Sequence, residues 1–523
     1  MEIIDKLTRI MISTAILRNF ILHILVLLFV SGLLFPLYAQ PSIQNDFNKF
    51  VKQHQQEFKK SAEKQKQDFA KFKSEARQQY EAFRDKTNAE FADFMQRKWT
   101  AVKVQPAIPA PIRPESPTPV IKDPEDNSPV PIERLPIANI NPLAPMLPHP
   151  SPAVPIIEPA PRHSNTFSFQ FYNTPCKVRL ENSQRFSLPN IKEETVAAVW
   201  RSMGTDLMDE TLLDCLVLRN NLLLGDWGYI SLVKTLSESF FGKPCSEAVL
   251  LQMYLLSHSG YKVRVASVEN RLVLLAAFTE TFYQHSFIAQ GSDRFYILDA
   301  NAPQSGYHIY DHAFPEEKTP SLRQENLPAL VYRPGPTRTF TSSKYPAVQA
   351  SLSTNRNLMD FFNDYPLISQ WQYYVSASLS DEIKEVLYPA LRVQMGSKSQ
   401  KEAVSLLLNF VQTAFEYKTD GEQFGYERPL FGDETFFYPY SDCEDRSILF
   451  AILVRELVGL EVVLLDYPGH LATAVKFTEA MPTGSYFPLE DGSYVICDPT
   501  YINASVGECM PQFRGMSATI VRI

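Results

Sequence analysis

Two stretches of this chain, 199 residues apart, carry the same elements in the same order. That repeat constrains the fold more than any other feature. Gly260 matches Gly459, Leu272 matches Leu471, Phe278 matches Phe477 and Asp299 matches Asp498. In each copy an apolar run of helical length, Ala248 to Ser259 or Ser447 to Val458, is closed by the glycine as a helix C-cap. A strand follows each glycine (KVRVA or EVVLL), then a second (RLVLLAAF or HLATAVKF), then a third ending in aspartate (FYILD or YVICD). A helix followed by antiparallel strands predicts an α+β fold with the helix packed on the sheet.

The copies differ where chemistry is concentrated. Cys443 has Pro244 as its register mate, with Cys245 one place off, and His470 has Arg271; only the aspartate is common. A thiol attacks carbonyls as thiolate, and its free pKa is about 8.5. A helix start and a nearby imidazolium both lower it. Cys443 directly precedes the predicted helix, where free backbone N–H groups face an anion and help to hold an oxyanion. His470 opens a strand and Asp498 ends the next. Neighbouring strands lie about 4.8 Å apart, so the aspartate can orient the histidine. This is nucleophile, base and orienter. Taken singly, the cysteine reads as a small core residue, the aspartate of Asp498-Pro499 as a turn former and the histidine as structural; the conjunction carries the argument. The first copy lacks a histidine at the matching position and is expected to be structural or substrate-positioning.

Residues 435–505 resemble the core of the transglutaminase-like superfamily, which has a papain-like arrangement. The likeness rests on TFFYPYSDCEDRS, DYPGHLATAVKF and YVICDPTYINAS, and is similar to exported transglutaminase-like proteins of Bacteroides-type bacteria. A looser likeness through AVSLLLNFVQTAFEY extends it to about 385–515. The resemblance implies Cys443 as nucleophile, His470 as general base and acid, and Asp498 as orienting carboxylate. Asp442, Glu444 and Asp445 depart from a thiolate-favouring setting, with Arg446 as an offset. There is no calcium loop of the EF-hand type, so calcium dependence is not carried over.

The rest of the chain prepares that unit for a place outside the cytoplasm. In residues 1–39, Lys6, Arg9 and Arg18 precede an apolar run from Phe20 to Leu37, broken by Pro36, with Ala39 at a cleavage position. This reads as a signal peptide, or as a membrane anchor if uncleaved. Residues 41–100 predict a long amphipathic helix. Phe47, Phe58, Phe69, Tyr80 and Phe91 stand eleven apart, and Phe50, Phe72, Phe83 and Phe94 follow three later, with Ser61 in the missing slot. Eleven residues in three turns is about 3.67 per turn, so the rings form one stripe. Another helix in a coiled coil or oligomer, the protein's own globular part, and a membrane or envelope surface are the three coverings considered. Residues 101–163 hold 18 of the 39 prolines and are expected to be a disordered, semi-rigid linker. The folded part divides into a degenerate domain at 164–340 and a catalytic domain at 341–523.

Net charge is -8, which argues against a general nucleic-acid binder. Six cysteines in 523 residues make no disulfide scaffold. Neither CxxC nor HExxH occurs, and His258, His285, His308 and His312 have no metal spacing, so no metal or cofactor is expected. Thr435 to Tyr440 reads equally as cleft lining or packed loop. Trp227, Tyr229 and Cys497 read as core. The expected function is an exported, periplasmic or envelope cysteine enzyme acting on protein or peptide amides through a thioester, with hydrolysis favoured over cross-linking. The alternative is a non-catalytic envelope scaffold that retains the fold.

Overall fold

The computed structural model describes residues 41–111, 120–123, 130–144, 147–152, 165–299 and 301–523. The expected signal peptide or anchor at 1–39 lies outside the described residues. Among the described residues, no helix is long and apolar enough to cross a membrane.

Helix α1 runs from Pro41 to Met95, five residues short of the predicted end. Its stripe has two fates. Within residues up to Gln78, Phe50, Phe58 and Phe69 are exposed. Within the compact unit Gln79–Ile523, Tyr80, Phe91 and Met95 are buried. There Phe91 packs against Trp200 and Phe314, and Tyr80 Oη donates to Asp209 Oδ1 at 2.9 Å. Covering by the protein's own globular part therefore holds for the last turns of α1.

Thirteen strands build two sheets. They are β1 (Thr100–Val102), β2 (Val104–Gln105), β3 (Ile137–Asn141), β4 (Val263–Val268), β5 (Arg271–Phe278), β6 (Phe287–Gln290), β7 (Asp293–Ile297), β8 (Tyr307–Ile309), β9 (Glu461–Tyr467), β10 (His470–Lys476), β11 (Tyr486–Leu489), β12 (Gly492–Cys497) and β13 (Ala518–Arg522). The first sheet has the order β1-β8-β4-β5-β7-β6-β2 and the second β11-β12-β10-β9-β13-β3. Five strands of each share topology, β8-β4-β5-β7-β6 and β13-β9-β10-β12-β11, and all but β8 and β13 share register. Val268 pairs with Arg271 as Tyr467 pairs with His470. Leu275 pairs with Ile297 as Ala474 with Ile496, and Phe287 with Tyr296 as Tyr486 with Val495. Every one of these pairs differs by 199, the offset of the sequence repeat.

Alternation along the strands explains the layers. Val463, Leu465 and Tyr467 face a cluster with Phe487, Ile496 and Ile520 on one side of the second sheet. Val462 and Leu464 face the main core. Helices α2 (Ser246–His258), α3 (Gln400–Thr413) and α4 (Cys443–Leu457) contribute to that same core, which runs continuously through both repeats.

Two expectations are corrected. The segment 101–163 is not a free linker where it is described: β1 and β2 form the two edges of the first sheet, and β3 pairs with β13 in parallel. The physical reason is that an edge strand offers unpaired N–H and C=O groups, and proline is tolerated beside such a strand. The boundary at 340/341 also falls inside a hairpin, Pro334–Thr341 with Gln349–Asn355, in which Phe340 pairs with Ala350.

Candidate active site

The second repeat brings its histidine and aspartate together through backbone register. A two-residue turn, Pro468-Gly469, joins β9 to β10, and Gly469 adopts φ 74, which a side chain would resist. His470 thus opens β10 while Asp498 directly follows the neighbouring β12. His470 Nε2 and Asp498 Oδ2 are 2.9 Å apart and both residues are buried. The carboxylate partner places the imidazole proton on Nε2. Asp498 is itself held, since its Oδ1 accepts from Thr500 N at 2.9 Å and Tyr501 N at 3.2 Å. Phe513 stacks on the imidazole with ring centroids 4.7 Å apart.

Cys443 is the first residue of α4, and its Sγ receives the backbone N–H of Leu471, the residue after His470. One turn further along the same face, Ser447 Oγ donates to Leu471 O at 2.8 Å. The helix start is therefore pinned to the first residues of β10. The thiol itself donates to Glu444 Oε2 at 3.0 Å. His470 Nδ1 is buried and makes no hydrogen bond. It is the ring nitrogen left over once Asp498 has taken Nε2.

The electrostatics run against a resting thiolate. Burial, and then the Glu444 and Asp442 carboxylates, push the Cys443 thiol well above its ordinary range. The helix start and the imidazole were expected to lower it, but desolvation and two adjacent acids outweigh one helix terminus. Asp442 and Asp445 are buried and likewise held well above the usual carboxylate range, by burial first and Glu444 second, with Asp445 adding to the effect on Asp442. Burial raises Asp420 too. Their partners are mostly backbone: Asp445 accepts from Leu430 N and Asp442 N, and Asp442 Oδ2 accepts from Asp420 N. Asp442 Oδ1 has no hydrogen-bond partner. One ligand oxygen from each of Asp420, Asp442 and Asp445 lies within 4.8 Å of the others, and Glu427 and Glu444 extend the cluster. Of the described residues, these are the ones with the donors for a hard cation. The sequence contains no loop spacing that announces them.

A stability prediction follows from Asp442. Folded, it keeps its proton at pH values where the unfolded chain has lost it. Its contribution is full below about pH 4 and is lost as pH rises. Asp442→Asn keeps the neutral shape, so in chelator-containing buffer it is expected to be more stable than the parent at pH 8 by about 1 kcal/mol or more. The gain should vanish near pH 4. Thermal melts across that range check it, and a variant less stable at pH 8 would contradict the assignment.

The remaining sequence-singled residues fall into place. All six cysteines are free thiols, and Cys497 is core. Tyr229 is buried and Trp227 half-buried against Phe278 and Phe282. Thr435 to Phe437 end a short helix, Gly432–Phe437, and Tyr440 opens a two-residue strand, with Phe436 packed against Phe340 and Phe415. Three supports escaped sequence reasoning. Gln412 on α3 donates through Nε2 to the carbonyls of Asp498, Tyr501 and Ala504, tying down the loop that carries the aspartate. A polar side chain in the apolar run AVSLLLNFVQTAFEY was its signal. Phe513 had none, and Glu444 was visible as a charge but not as the thiol's partner. No family model, curated protein or solved structure matches this chain.

Proposed function

We propose that this chain is an exported cysteine acyl-transfer enzyme of transglutaminase-like type, acting on protein or peptide amides at Cys443. The observation that carries the reading is the buried His470–Asp498 pair with an unengaged Nδ1, set beside the residue whose N–H meets Cys443 Sγ. In this reading Nδ1 takes the thiol proton. Sγ then bonds to the amide carbon, the C–N bond breaks, and the leaving amine receives the proton from His470. Water resolves the thioester in hydrolysis, His470 removing its proton and returning it to the thiolate; a second amine resolves it in cross-linking. Hydrolysis is the favoured outcome, because water competes wherever no site excludes it. The thiol must leave Glu444 before the first step, so activity requires the buried corner to open. A second reading, a non-catalytic envelope scaffold, is favoured by that same burial and by the raised thiol.

The test is alkylation of the full chain by limiting iodoacetamide across pH 5–9, read by peptide mapping. Glu444→Gln removes the nearest negative charge and is expected to speed labelling of Cys443 at neutral pH by about tenfold or more. His470→Ala should slow it. A Cys443 that stays inert in both the parent and Glu444→Gln would leave the scaffold reading standing.

The exposed rings of α1 are proposed to seat on a second copy of the helix. Phe58→Glu with Phe69→Glu is expected to reduce the sedimentation coefficient to that of a monomer. Unchanged sedimentation would remove oligomerisation from the helix's roles.

A further inference from the structure

We propose that the first repeat holds a binding pocket for a short, uncharged, amide-bearing ligand at the corner where the second repeat carries its triad. In the second repeat that corner is sealed, with Cys443, His470 and Asp498 all buried. In the first it opens into a cavity of about 350 Å³. The geometry is kept while the chemistry is changed. Arg271 stands at the histidine's register position and pairs with Asp299 through Nη1 and Oδ2 at 2.9 Å. Ser246 Oγ takes the N–H of Leu272, as Cys443 Sγ takes that of Leu471. A guanidinium locked on a carboxylate relays no proton, so this corner binds rather than reacts.

Gln252 carries the inference. It lies in the middle of α2, lines the cavity and is only 3% exposed, and its side-chain amide, which takes no partner among the described residues, reaches the cavity space rather than being sealed off. An amide at a cavity wall with no partner in the protein is available to a group that enters the cavity. It presents one acceptor and two donors in a plane, which a peptide group or a primary carboxamide satisfies together. The charges around it cancel in pairs. Arg271 is matched by Asp299, and Lys234 acts on Glu238 from one helical turn away. A neutral ligand therefore suits the cavity better than an ion. Val249 and Leu298 supply apolar wall for a side chain. A blocked amino acid or a peptide segment meets all of these demands. The inference does not depend on the triad of the second repeat.

Cys245 provides the readout. It lines the cavity and is the one cysteine of the six that is not buried. The experiment follows alkylation of Cys245 in the full chain by iodoacetamide while N-acetyl-leucinamide is added. Labelling is expected to slow about tenfold towards saturation, with half the effect at a few millimolar for a probe of this size. Acetyl-leucine and leucinamide, each carrying one charge, should protect less. N-acetyl-Gly-Leu-Gly-amide protecting at lower concentration identifies a peptide segment as the natural occupant, and equal protection identifies a single residue. Gln252→Leu should abolish protection with little change in Tm, because the amide has no hydrogen bond within the protein to lose. No protection by any probe overturns the proposal. So does protection that survives in Gln252→Leu, or a Tm that falls, which would make the amide structural.

Discussion

Asp498→Asn is expected to cut amide turnover by about 10³–10⁴ while the fold persists, the scale known for losing the orienting carboxylate of a triad. The carboxylate holds the imidazole proton on Nε2, 2.9 Å away, and in the proposed mechanism this leaves Nδ1 to take the thiol proton. An asparagine can turn its NH2 towards Nε2. The proton then sits on Nδ1, and the base faces the thiol with a donor instead of a lone pair. The oxygen that asparagine retains still accepts the Thr500 and Tyr501 N–H groups, and Gln412 still grips the loop from the other side. The expected result is therefore a catalytic loss with little change in Tm. Turnover of a peptide amide and of Cys443 acylation by an activated ester, measured together, check it. Retention of full activity would show that His470 is not the base.

Arg446→Met should be the most destabilising single change near the site, by about 3–5 kcal/mol. Arg446 is fully buried, and burial lowers its guanidinium to about 10, so it still carries its charge at neutral pH. It donates to Ser441 Oγ at 3.2 Å, Gln412 O at 3.2 Å and Phe415 O at 2.8 Å, and lies over the ring of Tyr417 at 5.4 Å. It is also a buried cation facing Asp442 and Asp445. Removing it orphans the carbonyls of Gln412 and Phe415 and takes the donor from Ser441 Oγ. Methionine fills the volume, so the loss measures the charge and hydrogen bonds rather than a cavity. The Tm is expected to fall by roughly 5–10 °C. Lysine should recover only part, because it lacks the planar fork that reaches three acceptors. A methionine variant as stable as the parent would mean that the three hydrogen bonds of Arg446 contribute no net stability.

Much of the site was readable because it depends on register. A period-2 strand puts every second residue on one face, so matched apolar strands 199 apart had to share pairing, and they do, pair by pair. His470 and Asp498 are neighbours for the same reason. The stripe on α1 was equally legible as a helix face, since helical period is local. What covered it was not: Phe91 is core while Phe58 is exposed, although both occupy the same slot of the repeat. The proline segment misled through composition. Proline content signals that a stretch cannot be a central strand, but it is silent on whether the gaps between prolines can lie along an edge, as Ile137–Asn141 does.

The sequence by itself determined the α+β repeat, the long helix, and the juxtaposition of histidine and aspartate, because each follows from periodicity and nearest-neighbour strand pairing. Only the tertiary structure decided that Cys443, His470 and Asp498 are buried, that the thiol rests on Glu444 rather than on Nδ1, and that the matching corner of the first repeat is open around Gln252. Burial and net electrostatics sum contributions from residues far apart in the chain. Gln412, Phe513 and Leu471 reach the site from three separate elements, and no local pattern records how much water they leave there.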